Sequence, residues 1–163
     1  MRRIVILAQP GEFGSAWGCW AASRLAQRLD LPCVDASEVA TEAGESGWVA
    51  TSRVGACPEH VLRAADTAVW LHFSPLAVFA AWWRGLRSRM TGTRAPLHVP
   101  RLADVRASVV HMAWTPHVQR TLGQPTMAHL RVVHLRDPAQ TDFWLRLQEL
   151  RLHQATAPLG QAA

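Results

Sequence analysis

Apolar positions along the chain follow two rhythms. Short runs rich in β-branched residues, Arg3 to Ala8, Pro32 to Val34, Trp48 to Thr51, Thr67 to Phe73 and Leu130 to Arg136, predict strands. Between them, apolar residues recur three or four apart. The first such stretch carries Trp17, Ala21, Leu25 and Leu29 and predicts a helix that starts near Ser15 as N-cap and stops at Asp30-Leu31-Pro32. A short helix is expected over Glu59 to Ala65. Pro75 opens another over Leu76 to Arg89, Leu102 to Trp114 forms one broken by Thr115-Pro116, and Pro138 to about His153 a last one. Residues 38–47 show no period and read as a loop or short helix, and 91–101 read as a loop. Strands alternating with helices are the pattern of an α/β fold around a parallel sheet of about five strands, in which the continuously apolar Thr67 to Phe73 is a central strand.

Composition narrows the class. The 163 residues, 49% of them hydrophobic, suffice for one domain with a real core, expected over residues 1–155 with a flexible tail over 156–163. The stretch "TAVWLHFSPLAVFAAWW" is interrupted by His72, Ser74 and Pro75 and is not read as a membrane span. The apolar run after Arg3 is too short for a signal sequence, and Cys19, Cys33 and Cys57 have neither the number nor the spacing of a disulfide framework or zinc ribbon. A cytoplasmic protein is the expectation. The formal charge of +5 favours anionic partners, and all 17 basic residues are arginine; the chain has no lysine.

That absence matters at "AQPGEFGSAWG", Ala8 to Gly18, where strand one runs through a glycine turn into a helix. A phosphate loop of the G-x-x-x-x-G-K-[ST] kind needs glycines so that backbone N–H groups can curl round phosphate, a lysine for the β/γ phosphates and a hydroxyl for magnesium. Here Ala8 and Phe13 stand at the glycine positions and Gly14 at the lysine; only Ser15 is retained. What remains is a strand–turn–helix setting whose first N–H groups can hold an anion, with Glu12 opposing it. Any βα turn uses glycine and serine in this way, so the stretch Gly11, Glu12, Phe13, Gly14, Ser15 and Ala16 is a candidate phosphate site with an equally plain structural reading.

Taken in order, "RIVILAQPGEFGSAWGCWAASRLAQRLDLPCVD", "ADTAVWLHFSPLAVFAAWWRGLRSR", "VVHMAWTPHVQR" and "LRVVHLRDPAQTDFWLRLQ" resemble the small adenylate-kinase-like P-loop proteins of the topology modulation type. The resemblance implies a three-layer P-loop NTPase-like domain with nucleotide over the first loop. It further implies Ser15 as the magnesium-side hydroxyl, Asp35 facing a phosphoryl acceptor, and Arg84 and Arg87, with Arg89 or Arg94, as a phosphate-clasping lid. ATP and magnesium would be the cofactors. The departures weigh against full activity: the lysine is gone, the segment between Asp35 and Trp48 is short, and Thr51-Ser52-Arg53-Val54 replaces the family's Asp-Gly-Asn-Tyr. The expectation is a degenerate relative that binds nucleotide or phosphate weakly, with phosphotransfer lost or reduced. Two alternatives remain: an active kinase whose lid arginines replace the lysine, and a flavodoxin-like cofactor domain. Strand order separates the last, because a kinase-like sheet sets strand three beside strand one and a flavodoxin-like sheet sets strand two there.

Other patterns carry less. Gly85 and Gly92 among the arginines suggest a segment that moves, although a basic helix end is also what the helix dipole favours. Trp17, Trp70, Trp114 and Trp144 fall on apolar faces, whereas Trp20 and one of Trp82 or Trp83 would stay exposed and offer a surface to a protein partner or a second copy. A nucleic-acid patch would interleave aromatics with its charges, and although Trp82 and Trp83 sit beside Arg84 they read as packing residues, so nucleic acid is not the expected partner. No two of the eight histidines share a face at metal-ligand spacing; His72 reads as a satisfied strand-end histidine and Cys19 as packed. Hydrolase elbows and three-glycine dinucleotide motifs are absent from the sequence.

Overall fold

The computed structural model describes residues 2–39, 47–92, 99–112 and 115–156. The strands are β1 (Arg3–Ala8), β2 (Cys33–Asp35), β3 (Trp48–Arg53), β4 (Thr67–Leu71) and β5 (Arg131–Leu135). The helices are α1 (Glu12–Leu29), α2 (Glu59–Ala64), α3 (Pro75–Thr91), α4 (Leu102–Met112), α5 (Thr115–Leu122) and α6 (Pro138–Thr156), with a 3-10 turn at Pro125–Met127.

All strand pairs are parallel, in the order β2-β3-β1-β4-β5. Period-two alternation gives the central strands β1 and β4 two buried faces, whereas the edge strands β2 and β5 are more exposed. Ile4 and Ile6 of β1 point to one side, where α1, α3 and α6 supply Phe13, Trp17, Leu25, Val78 and Leu145. Val5 and Leu7 point to the other, covered by α2, α5 and the 3-10 turn through Val61, Leu62, Val118 and Met127. The result is a three-layer α/β domain. Strand three, not strand two, lies beside strand one, as in the kinase-like arrangement; the flavodoxin-like order is not the one adopted.

Where boundaries differ from expectation, local chemistry explains it. The first helix begins at Glu12, with Gly11 as N-cap at φ 105, so Ser15 lies inside the helix and its N–H donates to the Gly11 carbonyl. It ends where Asp30 adopts φ 53. Strand three continues two residues past Thr51 to Arg53, because β1 pairs with it residue for residue out to Ala8. Strand four stops at Leu71, leaving His72 and Phe73 past its end. Ser74 caps α3 by accepting from the Ala77 N–H at 3.1 Å, with Pro75 in the first turn. Helix α4 ends at Met112, and Thr115-Pro116, expected only to break a helix, form the first turn of α5, a helix the apolar pattern did not announce. Trp17 and Trp70 are core and Trp83 is exposed, as the apolar faces required; Cys19, by contrast, is exposed rather than packed. Trp114, Arg94 and most of the acidic 38–47 stretch and the 91–101 loop lie outside the described residues.

Candidate functional site

In an open α/β sheet, side chains that act on a ligand gather past the carboxyl ends of the strands. Here that edge is formed by Gln9 and Pro10 after β1, the turn after Arg53 and the His72-Phe73 pair after β4. Helix α4 comes close to two of these points through Asp104 and His111. Gln9, nearly fully buried, accepts the Phe73 N–H on its Oε1 at 2.9 Å and so ties the ends of β1 and β4 together.

The connection from β1 to α1 is only Gln9-Pro10-Gly11, too short to wrap round a phosphate. Phe13 is buried in an aromatic group, its ring 5.7 Å from Phe73 and edge-on to Trp17 at 6.4 Å. Gly14 stands where the lysine would be because a Cβ there would lie 2.3 Å from the Gln9 carbonyl oxygen. One turn later, a Cβ at Gly18 would lie 2.6 Å from the Ala8 Cβ. The glycines let α1 press against the end of β1.

The first turn of α1 holds an anion from within the chain. The Asp104 carboxylate, 7% exposed, accepts the Phe13 N–H on Oδ1 at 3.0 Å and the Arg101 N–H on Oδ2 at 2.8 Å. A Cβ on Gly11 would sit 3.0 Å from the same Oδ1, so glycine is required there for the fit as well as for its φ. Glu12 turns to Arg101, Oε2 to Nη1 at 2.9 Å, in a pair about three-quarters exposed that contributes little. A carboxylate at a helix N-terminus satisfies free N–H groups and the helix dipole together. Sequence reading missed it because Asp104 is 91 residues away and looks like an ordinary acidic residue in a helix's first turn.

The remaining expected site residues are dispersed. Asp35 ends the edge strand β2, two strands from β1, roughly 10 Å across the sheet. Its Oδ1 accepts from the Ser37 hydroxyl at 2.6 Å and the Ser37 N–H at 2.9 Å, which holds the carboxyl below its ordinary pKa. Arg84 and Arg87 are exposed on α3, and Arg84 Nε donates to its own helix at the Ala80 carbonyl. Among the described residues no hydrogen bond or ion pair joins Asp35, Arg84 or Arg87 to one another or to the first turn of α1. Gly85 is no hinge signal: its missing Cβ makes room for Val99, whose Cγ1 would be 2.3 Å away, and Gly92 is the left-handed C-cap of α3.

A polar cluster lies past β4 and β5. His72 Nδ1 is 3.2 Å from His134 Nε2, and its Nε2 is 3.2 Å from the Thr115 hydroxyl. The rings of Trp70 and His134 stack at 4.3 Å, and His111 meets His72 edge-on at 5.5 Å. Burial lowers the pKa of all three histidines, most for His111, which is pushed down to about 4, with the nearby His72 adding to the shift. Sequence spacing hid this cluster because its members come from β4, β5 and α4. No group of three metal-ligating side chains occurs among the described residues. The half-buried Cys57 thiol is pushed up to about 11 by burial, which leaves it protonated and unfit as a nucleophile at neutral pH.

Compared with family models, curated proteins and solved structures, the chain shows no match.

Proposed function

We propose that this chain is a degenerate adenylate-kinase-like domain that has lost phosphotransfer and acts by binding. The observation that carries the reading is the Asp104 carboxylate at the start of α1, the place where a phosphate would be held. Nucleotide could enter only by displacing two backbone bonds to a buried carboxylate, each worth about 1.5–3 kcal/mol as a charge-assisted bond. It would also meet two like charges, Asp104 and Glu12. The missing lysine removes a further electrostatic contribution of roughly 3 kcal/mol from any phosphoryl-transfer transition state. The strand order supports descent from the kinase-like arrangement; the packing roles of Gly14 and Gly18 support a first turn committed to structure. Magnesium and ATP do not fit this donor set.

Trp17 lies against Phe13 and Trp20 lies 4.8 Å from Trp17, so intrinsic fluorescence reports on this first turn. Titration with magnesium ATP is expected to give no saturable change up to millimolar nucleotide, and labelled ATP no transfer to nucleoside or sugar acceptors. Saturable binding that weakens in both Ser15→Ala and Arg87→Ala would instead mean that the first turn still grips phosphate, and transfer of label to an acceptor would establish the active-kinase alternative.

A further inference from the structure

A crevice of about 550 Å³ opens at the carboxyl edge of the sheet, between the ends of β1 and β3 and the flank of α4. Its walls are Pro10, Val54, Ala107 and Val110, with Arg53 and His111 as its two polar side chains. The volume lies in the range of small-molecule sites, and the place, between adjacent strands at their carboxyl ends, is where α/β sheets bind ligands. A second cavity, of about 260 Å³, lies at the opposite edge among Arg2, Asp66 and Arg131, and Asp66 is already engaged there by the Arg3 N–H at 2.9 Å.

The turn that shapes the crevice follows the last bond of the β1–β3 ladder, Val54 N–H to the Ala8 carbonyl at 2.8 Å, and Gly55 at φ 83 faces open space. Two features of the crevice are unexplained by folding alone. Arg53 is exposed, and no carboxylate pairs with it among the described residues. His111 is 2% exposed, yet its buried Nε2 has no hydrogen-bond partner, a costly state for a polar atom unless something else engages it.

We infer that this crevice binds a small organic carboxylate with an apolar body, its charge paired with the Arg53 guanidinium and its chain against Val54, Ala107 and Val110, with the His111 imidazole as the one polar group of the inner wall. Arginine's planar fork matches a carboxylate, and apolar walls exclude a highly charged ligand such as a nucleoside triphosphate. The site does not depend on the first turn of α1, so it can fail or stand irrespective of the ATP titration above.

Octanoate and the neutral octanol are the probes, titrated calorimetrically into the full chain. Octanoate is expected to bind saturably and octanol at least about tenfold more weakly, the loss that one charge-assisted bond carries. Arg53→Gln and Val110→Glu alter exposed side chains and keep the fold, verified by unchanged circular dichroism, and each should weaken octanoate by about tenfold or more. The His111 ring nitrogen resonances should shift along the same binding curve. Trp83→Ser, on the exposed face of α3, should bind as the parent does. Absence of saturable binding, equal affinity in Arg53→Gln, stationary His111 resonances at saturation, or loss of binding in Trp83→Ser would each overturn the assignment.

Discussion

Gly14 occupies the position of a phosphate-loop lysine for a reason of packing: the Gln9 carbonyl leaves no room for a side chain. Gly14→Lys, which restores the motif on paper, is therefore expected to destabilise the fold by about 2 kcal/mol or more, as overpacking against backbone does, and to create no nucleotide site. Urea denaturation with a parallel ATP titration checks both halves. Asp104→Ala leaves the Phe13 and Arg101 N–H groups without their acceptor and should cost about 2 kcal/mol, whereas Asp104→Asn keeps one acceptor oxygen and should cost less. If the alanine variant unfolds at the parental urea concentration, the carboxylate is not holding the first turn of α1. These residue-level reasons were not legible in the sequence. A glycine looks the same whether it admits phosphate or the chain's own backbone: Gly14 packs on Gln9, and the carboxylate beside Gly11 appears only when α4 is placed.

At the scale of elements, the alternation of apolar rhythms located every strand of the sheet, and β1 residue for residue because its burial on both faces leaves an unambiguous apolar run. Errors fell at ends, and helix α5 with the 3-10 turn after it was not foreseen. Helix α1 starts three residues before Ser15, since Gly11 can adopt the backbone turn and Asp104 supplies the cap that Ser15 was expected to provide. The junction of β4, β5 and α4 gives a prediction of its own. His72, His111 and His134 all have folded-state pKa values below the ordinary 6.5, so between the folded and unfolded values the unfolded chain binds more protons and stability rises with pH. Stability should be level above about pH 7 and fall as pH drops from 6.5 towards 4. The nearly fully buried His111 alone accounts for about 3 kcal/mol of that loss. Urea midpoints at a series of pH values check this; a midpoint that stays constant from pH 7.5 to about 4.5 would show that the cluster is protonated in place without penalty.

At the scale of the molecule, one five-stranded parallel sheet with helices on both faces emerges from composition and periodicity, and the order β2-β3-β1-β4-β5 decides between sheet plans that a pattern of alternation leaves equal. The same order puts the end of β3 beside the end of β1 and so creates the crevice at Arg53, which sequence reading passed over as a departure from a motif. The expected site residues Asp35, Arg84 and Arg87 proved legible as exposed polar positions, but spacing along the chain could not reveal that Asp35 and Arg84 make only local bonds. The central claim is that the mouth of α1 is closed by the protein's own carboxylate and therefore does not receive nucleotide phosphate. The most direct measurement follows the Phe13 amide resonance of ¹⁵N-labelled protein during a magnesium ATP titration, with its hydrogen-exchange rate recorded beforehand. The account predicts an amide protected from exchange, as an N–H bonded to Asp104 must be, and unmoved by nucleotide up to millimolar concentration. A freely exchanging amide, or one that shifts saturably with ATP, would contradict it.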